Sequence, residues 1–557
     1  MSHAGRAHAL VLAVLLSPSL ALAAWQPGGN RIGDGEGFVA TASNGRVVVA
    51  WHRKATSDRY EVRLQAWTAD GDIAAGWPAA GVLVGDRPGA NLWPAICEDG
   101  SGGAFVLWVN ELGPDRSFYL QHVSATGSPS PGWAPEGLRL GPASVYSGLP
   151  VAAHDGAGGV LVGWSEYYYD GRAHTSVRIL RIDAGGVPAA GWPMEGHVIP
   201  DSYEVGLAVD GEQHVFVSTG EYSAQGGAGR LRVRRLGADA APDPGWPQTG
   251  ALLTDAVAPI QMKLFPDGGG GVFTGWMEAV ICVGFCPVGP GASATRILGD
   301  GTRDEGWIPA FRAYSAAPDE TGGMLLGLVS GGRPAVVRLD AAGGPMPGWA
   351  PGGTAAMTEI VAPHDVTVAG DGEGGAFVTW SDWRTGEYQI YASRLDAAGR
   401  LADGWPTTGS FVDADRGGFL YGHSLVSLGG GVAISLWNEW TPDGLVGYLT
   451  ALRPGEPGPI AGLGPVPVEV GFGVTQVRPN PARGPIVAIV ELPNEGPARI
   501  DLVDAAGRVL ESQDFSFQWQ ALGAVHFNQS RALAPGVYWL RVTQGLRRAA
   551  KKVVVLE

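Results

Sequence analysis

Three cysteines in 557 residues are too few for a disulfide scaffold, and no paired CxxC pattern is present to hold zinc. The 11 His form no H-x-x-x-H pair and show no metal-ligand spacing. No Asp-x-Asp-x-Asp-Gly calcium loop occurs; Asp413-Ala-Asp415 is a fragment of one. No metal or cofactor is therefore expected. Charge is also scarce, at 17% of residues, with 38 Lys+Arg against 54 Asp+Glu. A chain of net charge −16 lacks the clustered cations that phosphates require, which excludes nucleic acid as a partner. Beyond the first 23 residues no run approaches the roughly 18–20 apolar residues of a membrane span. Long helices are excluded by 88 Gly and 41 Pro, which break helices every few residues. Gly has no period of three, so the chain is not collagenous. What remains is 45% apolar residues with 20 Trp, a core too large for a disordered chain. This composition predicts an all-β, turn-rich, exported protein.

Arg6, the apolar run Ala9–Leu16 and the small-x-small triplet Ala21-Leu22-Ala23 predict a signal peptide over residues 1–23, with the mature chain starting at Ala24. In an oxidising compartment Cys282 and Cys286 are candidates for a small disulfide loop, while Cys97 lies alone in a predicted strand.

A Trp phrase recurs at Gly76-Trp77-Pro78, Gly132-Trp133, Gly191-Trp192-Pro193, Gly245-Trp246-Pro247, Gly306-Trp307, Gly348-Trp349 and Gly404-Trp405-Pro406, with a first copy at Trp25-Gln26-Pro27. The steps are 52, 56, 59, 54, 61, 42 and 56 residues. Interleaved with it is a turn that leads into an apolar run and a Trp: Asp99 to Trp108, Asp155 to Trp164, Asp267 to Trp276 and Asp371 to Trp380. Looser copies end at Trp51 and Trp437, and two units carry Thr219 and Leu328 near the Trp position. Together the phrases hold 14 of the 20 Trp, so the repeat organises the core. Each unit reads as four short strands, in the second unit Gly81–Gly85, Pro94–Glu98, Ala104–Val109 and Tyr119–Ser124. The third is apolar throughout, as in a strand covered on both faces. The fourth alternates, as in Val177-Arg-Ile-Leu-Arg-Ile182, and has one wet side.

Repeated four-stranded units predict a β-propeller over residues 24–454. The first Trp phrase has no three strands before it, and the last three-strand set, ending near Leu452, has no Trp phrase after it. An N-terminal strand can complete the last sheet and remove two free edges. That predicts eight blades; the 42-residue step, one strand short, makes seven the alternative.

A Pro/Gly-rich linker over 455–469 separates this region from residues 470–557. There the strands Val487–Leu492, Ala498–Asp504, Val525–Asn528, Gly536–Val542 and Lys552–Leu556 predict a small Ig-like β-sandwich. The phrases Pro479-Asn480-Pro481, Asp504-Ala-Ala-Gly507-Arg508, Leu533-Ala-Pro-Gly536-Val537-Tyr538 and Lys552-Val-Val-Val-Leu556 give this tail its resemblance to two families. It resembles the C-terminal sorting domains of type IX secretion cargo and the Ig-like domain of the flagellar hook-capping protein. The repeat region resembles secreted bacterial β-propeller repeat proteins that carry such tails. The resemblance implies secretion machinery as a partner, and a place at the cell surface (outer membrane) or outside the cell.

Several motifs carry no chemistry. Gly370-Asp-Gly372-Glu-Gly-Gly375 matches a dinucleotide fingerprint but lies on the repeat's turn with no helix after it. Gly422-His423-Ser424-Leu-Val426 lacks the last Gly of a nucleophile elbow. His154-Asp155 and His364-Asp365 look like half-dyads, yet Asp155 is the repeat's turn Asp. One constellation stands apart. Two residues beyond the third-strand Trp position the units carry Asn110, Glu166, Glu221, Glu278, Asp382 and Glu439, often followed by an aromatic residue: Tyr167, Tyr222, Trp383 and Trp440. Strand alternation puts these turns on one end of the ring. Either each acid pairs with a nearby Arg and fixes a turn, or acids and rings together form a carbohydrate-binding surface. The sequence thus predicts a non-catalytic binding or surface module with a glycan or surface-protein ligand. The alternative is a secreted glycan-active enzyme, hydrolase or lyase, on a propeller scaffold.

Overall fold

The computed structural model describes residues 25–556 apart from 27–28, 58, 114, 145, 170–172, 222–228, 255–258, 279–291, 307–312, 320, 362, 385–387, 413–418, 442–443, 455–471, 479, 483–485, 493–495, 518–520, 528–532 and 546. The expected signal peptide, the linker, Cys282, Cys286 and Tyr222 lie outside the described residues. Cys97 is buried and free.

Gly and Asp turns at short intervals leave the chain only β-structure, and every regular element is a strand. The repeats fold as successive antiparallel meanders. Glu36–Ser43, Arg46–Thr56, Arg59–Thr68 and Val82–Gly85 form the first. Ala90–Glu98, Ala104–Leu112, Asp115–Val123 and Leu138–Ser144 form the second, joined to the first by the single parallel pair Tyr60↔Ala90. A third meander runs from Tyr146–Ser147 to His197–Pro200, and a fourth from Ser202–Val209 to Ala251–Thr254. Pro259–Pro266, Val272–Glu278 and Ala292–Ile297 make a three-stranded fifth among the described residues, linked through Ala292↔Ala313 to a sixth beginning at Ala313–Pro318. This is where the sequence repeat runs short. The seventh spans His364–Gly370 to Ser410–Phe411. The last comprises Phe419–Gly429, Val432–Thr441 and Gly444–Leu452, and its fourth strand is the N-terminal Asn30–Asp34, antiparallel to Gly444–Leu452.

The leading strand of each meander packs against that of the next, and Phe419–Gly429 packs back on Glu36–Ser43. The arrangement is a propeller-like ring whose leading strands pack side by side around its axis. The strand Val82–Gly85 pairs with Arg59–Thr68, so each sheet starts at what the sequence repeat numbers as its second strand.

Two contacts explain why Trp dominates the repeat. The strand residues Trp108, Trp164 and Trp380 are fully buried between neighbouring sheets. The indoles of the Gly-Trp phrase reach the turn of the following unit. Trp77 Nε1 donates to the Ala125 carbonyl at 3.0 Å, Trp133 to Ala184 at 2.8 Å, Trp192 to Ala238 at 2.7 Å and Trp246 to Gly299 at 2.9 Å. Trp25 makes the same bond across the seam, to Ala69 at 2.9 Å. The turn must leave room for the ring: a Cβ on Gly127 (φ +75°) would lie 3.0 Å from the Trp77 indole.

The tail has a three-stranded sheet, Gly473–Arg478, Ile486–Leu492 and Ala521–Phe527, and a four-stranded one in the order Val509–Phe517, Gly496–Val503, Gly536–Gln544, Arg547–Val555. Both contribute to one core that includes Ile486, Val490, Ile500, Leu502, Leu540 and Val553. Gly473–Arg478 and Val509–Phe517 were not expected as strands. Gln and Arg interrupt the first, and Glu, Ser, Gln and Asp dominate the second.

Candidate functional site

The repeat's turn Asp is structural in every described copy. Oδ1 of Asp155 accepts the backbone N–H groups of Ala157 (2.8 Å) and Gly159 (2.7 Å), while Oδ2 accepts Arg181 Nε at 3.0 Å. Asp371 repeats this with Glu373, Gly375 and Arg394, and Asp99 with Ser101, Gly103 and His122. Burial alone would raise the Asp99 pKa, but the His122 ring, the Ser101 hydroxyl and the two backbone N–H groups hold it well below the usual carboxylate range.

The expected acid–aromatic positions lie at the opposite end, because the turn Asp opens the strand that the acid closes, and since residues i and i+2 share a face each acid stands beside its strand Trp. Glu166 Oε1 accepts the Trp164 indole N–H at 2.9 Å and Arg178 Nε at 2.8 Å, and Oε2 accepts Arg178 Nη2 at 2.8 Å. Asp382 accepts Trp380 Nε1 at 2.8 Å and the Arg384 guanidinium. The Arg384 guanidinium also lies 3.8 Å from the centre of the Tyr391 ring. Arg394 belongs instead to Asp371. Glu221 is clamped by Arg232 at 2.8 Å and Arg234 at 2.6 Å, and Arg234 also donates to Thr219, which stands at the Trp position of that unit. Asn110 replaces the acid with an amide that bonds Asn91 Oδ1 at 3.0 Å, the atom that also accepts the Trp108 indole. Glu439 is buried, and Glu278 ends its strand paired with Pro259. In the first unit the charges exchange strands: Glu61 takes Arg53 and Arg63, both at 2.6 Å. Burial works against the charge on Glu61, but the two guanidiniums outweigh it and lower the pKa.

The aromatic neighbours differ from the acids in exposure. Trp440 is 56% exposed and Tyr167 37%. Trp383 is half-buried, with its ring 4.7 Å from that of Tyr388 at 84°. Glu166, Glu221 and Asp382 are thus committed to internal bonds, while the rings of Trp440 and Tyr167 are exposed.

Sequence reasoning missed a second set of residues at this end. The leading strands bulge at one level, between Leu92 and Ala95, Tyr203 and Val205, Ile260 and Lys263, and His364 and Thr367. The bulges carry left-handed residues: Trp93 (φ +53°), Glu204 (+50°), Gln261 (+49°) and Asp365 (+50°), with Gly37 and Gly422 at the same place in two other strands. The available signal was a fixed distance without a fixed residue. Trp93, Gln261, Asp365 and Gly422 each stand fifteen places before the strand Trp of their own unit.

Among the described residues no group of three or more His, Cys, Asp or Glu is placed to hold a metal ion. No helix there is long and apolar enough to cross a membrane.

Residues 476–556 match the family described as the secretion system C-terminal sorting domain. The chain carries a sorting tail. Such a domain indicates export through the type IX machinery to the cell surface or outer membrane. Comparison with curated proteins finds no match. Among solved structures, the chain is similar to a prolyl endopeptidase (14% identity, TM-score 0.38), covering 73% of this chain and 53% of that one. It therefore spans about half the length of that enzyme. It is also similar to the β-propeller domain of the trilobed protease of Pyrococcus furiosus (7% identity, TM-score 0.35, covering 79% and 98%). A third likeness is to dipeptidyl peptidase 4 of Porphyromonas gingivalis (10% identity, TM-score 0.41, covering 83% and 65%). Likenesses this low bear on no residue and no activity. The sorting tail says where the protein goes, and its chemistry has to come from the ring.

Proposed function

We propose that this protein is an exported, non-catalytic binding module: an eight-bladed β-propeller displayed at the cell surface or released, followed by an Ig-like sorting domain that engages the secretion machinery. Its acid–aromatic end takes a glycan. The observation that carries this reading is the division of labour at that end, where buried acids such as Glu166 and Asp382 are locked by Arg and indole groups while the rings of Trp440 and Tyr167 are exposed. The acids stiffen the turns, and the rings offer flat apolar faces for stacking on sugars.

A secreted glycan-active enzyme is the second reading. It is favoured by Glu204 and Asp365, two carboxyls at the bulge level of their leading strands in different settings. Burial raises the Glu204 pKa against the lowering effect of the Gln261 backbone N–H, whereas Asp365 is exposed. A hydrolase needs its two carboxyls ~5–10 Å apart. In an eight-bladed ring these two are three blades apart, which favours binding.

The test is retention of the full chain on insoluble polysaccharides, with Trp383→Ala and Trp440→Ala alongside. Each variant should weaken retention by about tenfold, the loss of one stacking platform, with the melting temperature held. Variants that melt several degrees lower would place both rings in the packing and end the reading. Release of reducing sugar by the wild type would favour the enzyme.

A further inference from the structure

Eight repeats in one chain can be compared with each other. Positions that hold the same residue in unit after unit, such as the turn Asp and the strand Trp, carry the scaffold. The bulge position behaves differently. It keeps a left-handed backbone in six units while its residue changes from Gly to Trp, Glu, Gln and Asp. Side chains other than Gly hold that conformation only at a cost, most of all a bulky one such as Trp. Bulges of this kind serve to re-aim side chains, commonly beside binding sites. In the third unit the same level carries Leu149, in the gap between Tyr146–Ser147 and Val151–His154, and in the sixth it carries Tyr314, at a register shift between Ala313 and Ser315.

We propose that this ring of bulges, at one end of the propeller axis, is a binding site for the end of an oligosaccharide chain. The proposal rests on the glycan reading above and deepens it. One set of rim residues is apolar and exposed: Trp93 at 43%, Leu149 at 64% and Tyr314 at 38%. The other is polar: Glu204, Gln261 and Asp365. A pyranose presents both surfaces, a C–H face for an aromatic ring and an edge of hydroxyls for carboxylates and an amide. The rim is not uniformly open. A Cβ on Gly37 would lie 2.8 Å from the His52 ring, and that ring supports Trp93 edge-on at 5.3 Å. A Cβ on Gly422 would meet nothing within 4 Å, which leaves open space at that place on the rim. Two residues beyond Gln261 on the same strand, Lys263 is solvent-accessible, although the protein packed around it lowers its pKa, and it has no ion pair among the described residues. It is a donor for the first sugar.

The test uses the full chain. Retention is measured first on insoluble chitin, cellulose, β-1,3-glucan and peptidoglycan. The soluble hexasaccharide of the retained polymer is then titrated into the wild type, Trp93→Gly and Asp365→Gly. Gly is at ease at these φ values, which offsets the packing that Trp93 gives up against His52, so both variants should melt within a few degrees of the wild type yet bind the hexasaccharide about tenfold more weakly. Unchanged affinity, or weaker binding with a collapse of the melting temperature, overturns the proposal. Loss of binding in Trp383→Ala and Trp440→Ala with the rim variants unaffected would remove the rim and leave the acid–aromatic end as the glycan site. A wild type retained on none of the four polymers would remove the glycan reading, and the rim's ligand with it.

Discussion

His52 shows how much a single buried group can weigh in this fold. It sits between Tyr60 and Trp93, and burial pushes its pKa down to about 4. In the unfolded chain the same imidazole takes up a proton near pH 6.5. Between those values the unfolded state binds more protons, so the stability that His52 contributes is complete above pH 6.5 and is lost as pH falls toward 4. The full difference is on the order of 3 kcal/mol. Melting curves from pH 7 to pH 4.5 should show a decline that is clearly smaller in His52→Gln. Equal declines in both proteins would mean the group is not buried neutral. Asp99 acts in a different window. Its lowered pKa means its contribution is lost only below about pH 4. Neither behaviour was legible in the sequence, where His52 is one scattered histidine. The turn Asp was legible because its main partners, the backbone N–H groups two and four places on, are close in the chain.

At the scale of elements, the seam carries the ring. Asn30–Asp34 covers the edge of Gly444–Leu452. The turn at 69–71 of the first meander is held by Trp25 (2.9 Å), by Asn30 Nδ2 to the Gly71 carbonyl (2.9 Å), and by Arg453 to Asp70 (2.9 Å). Deleting Trp25–Ile32 should therefore destabilise the whole ring, through the lost indole packing, the lost bonds to the turn and the missing strand, and expose a strand edge prone to association. Calorimetry would show a lower melting temperature; an unchanged one would refute closure by this strand. The need for an N-terminal strand followed from counting Trp phrases at the two ends. The bulges did not follow, because a bulge is set by how a leading strand meets its neighbours around the axis. The strand pattern is the same with or without it.

At the scale of the whole molecule, the ring and the tail have separate cores. The tail's cluster contains no residue before Phe472, and the ring's clusters end at Leu452. We expect a chain ending after Pro454 to be soluble and to melt as the ring does in the full protein, followed by circular dichroism. Aggregation of that chain while the full protein stays soluble would move the boundary.

The sequence by itself determined the all-β class, the repeat, the closing strand and the secretion address, since each rests on local spacing: a turn every few residues, a Trp every fifty or so, a short phrase near the end. Tertiary structure alone decided that Glu166 belongs to Arg178 and Asp382 to Arg384 rather than Arg394, that Trp440 faces water while Trp437 is buried, and that a bulge level brings Trp93, Glu204 and Asp365 to one rim. Those outcomes depend on which side chains meet across strands and between neighbouring sheets, and that geometry exists only once the ring has closed.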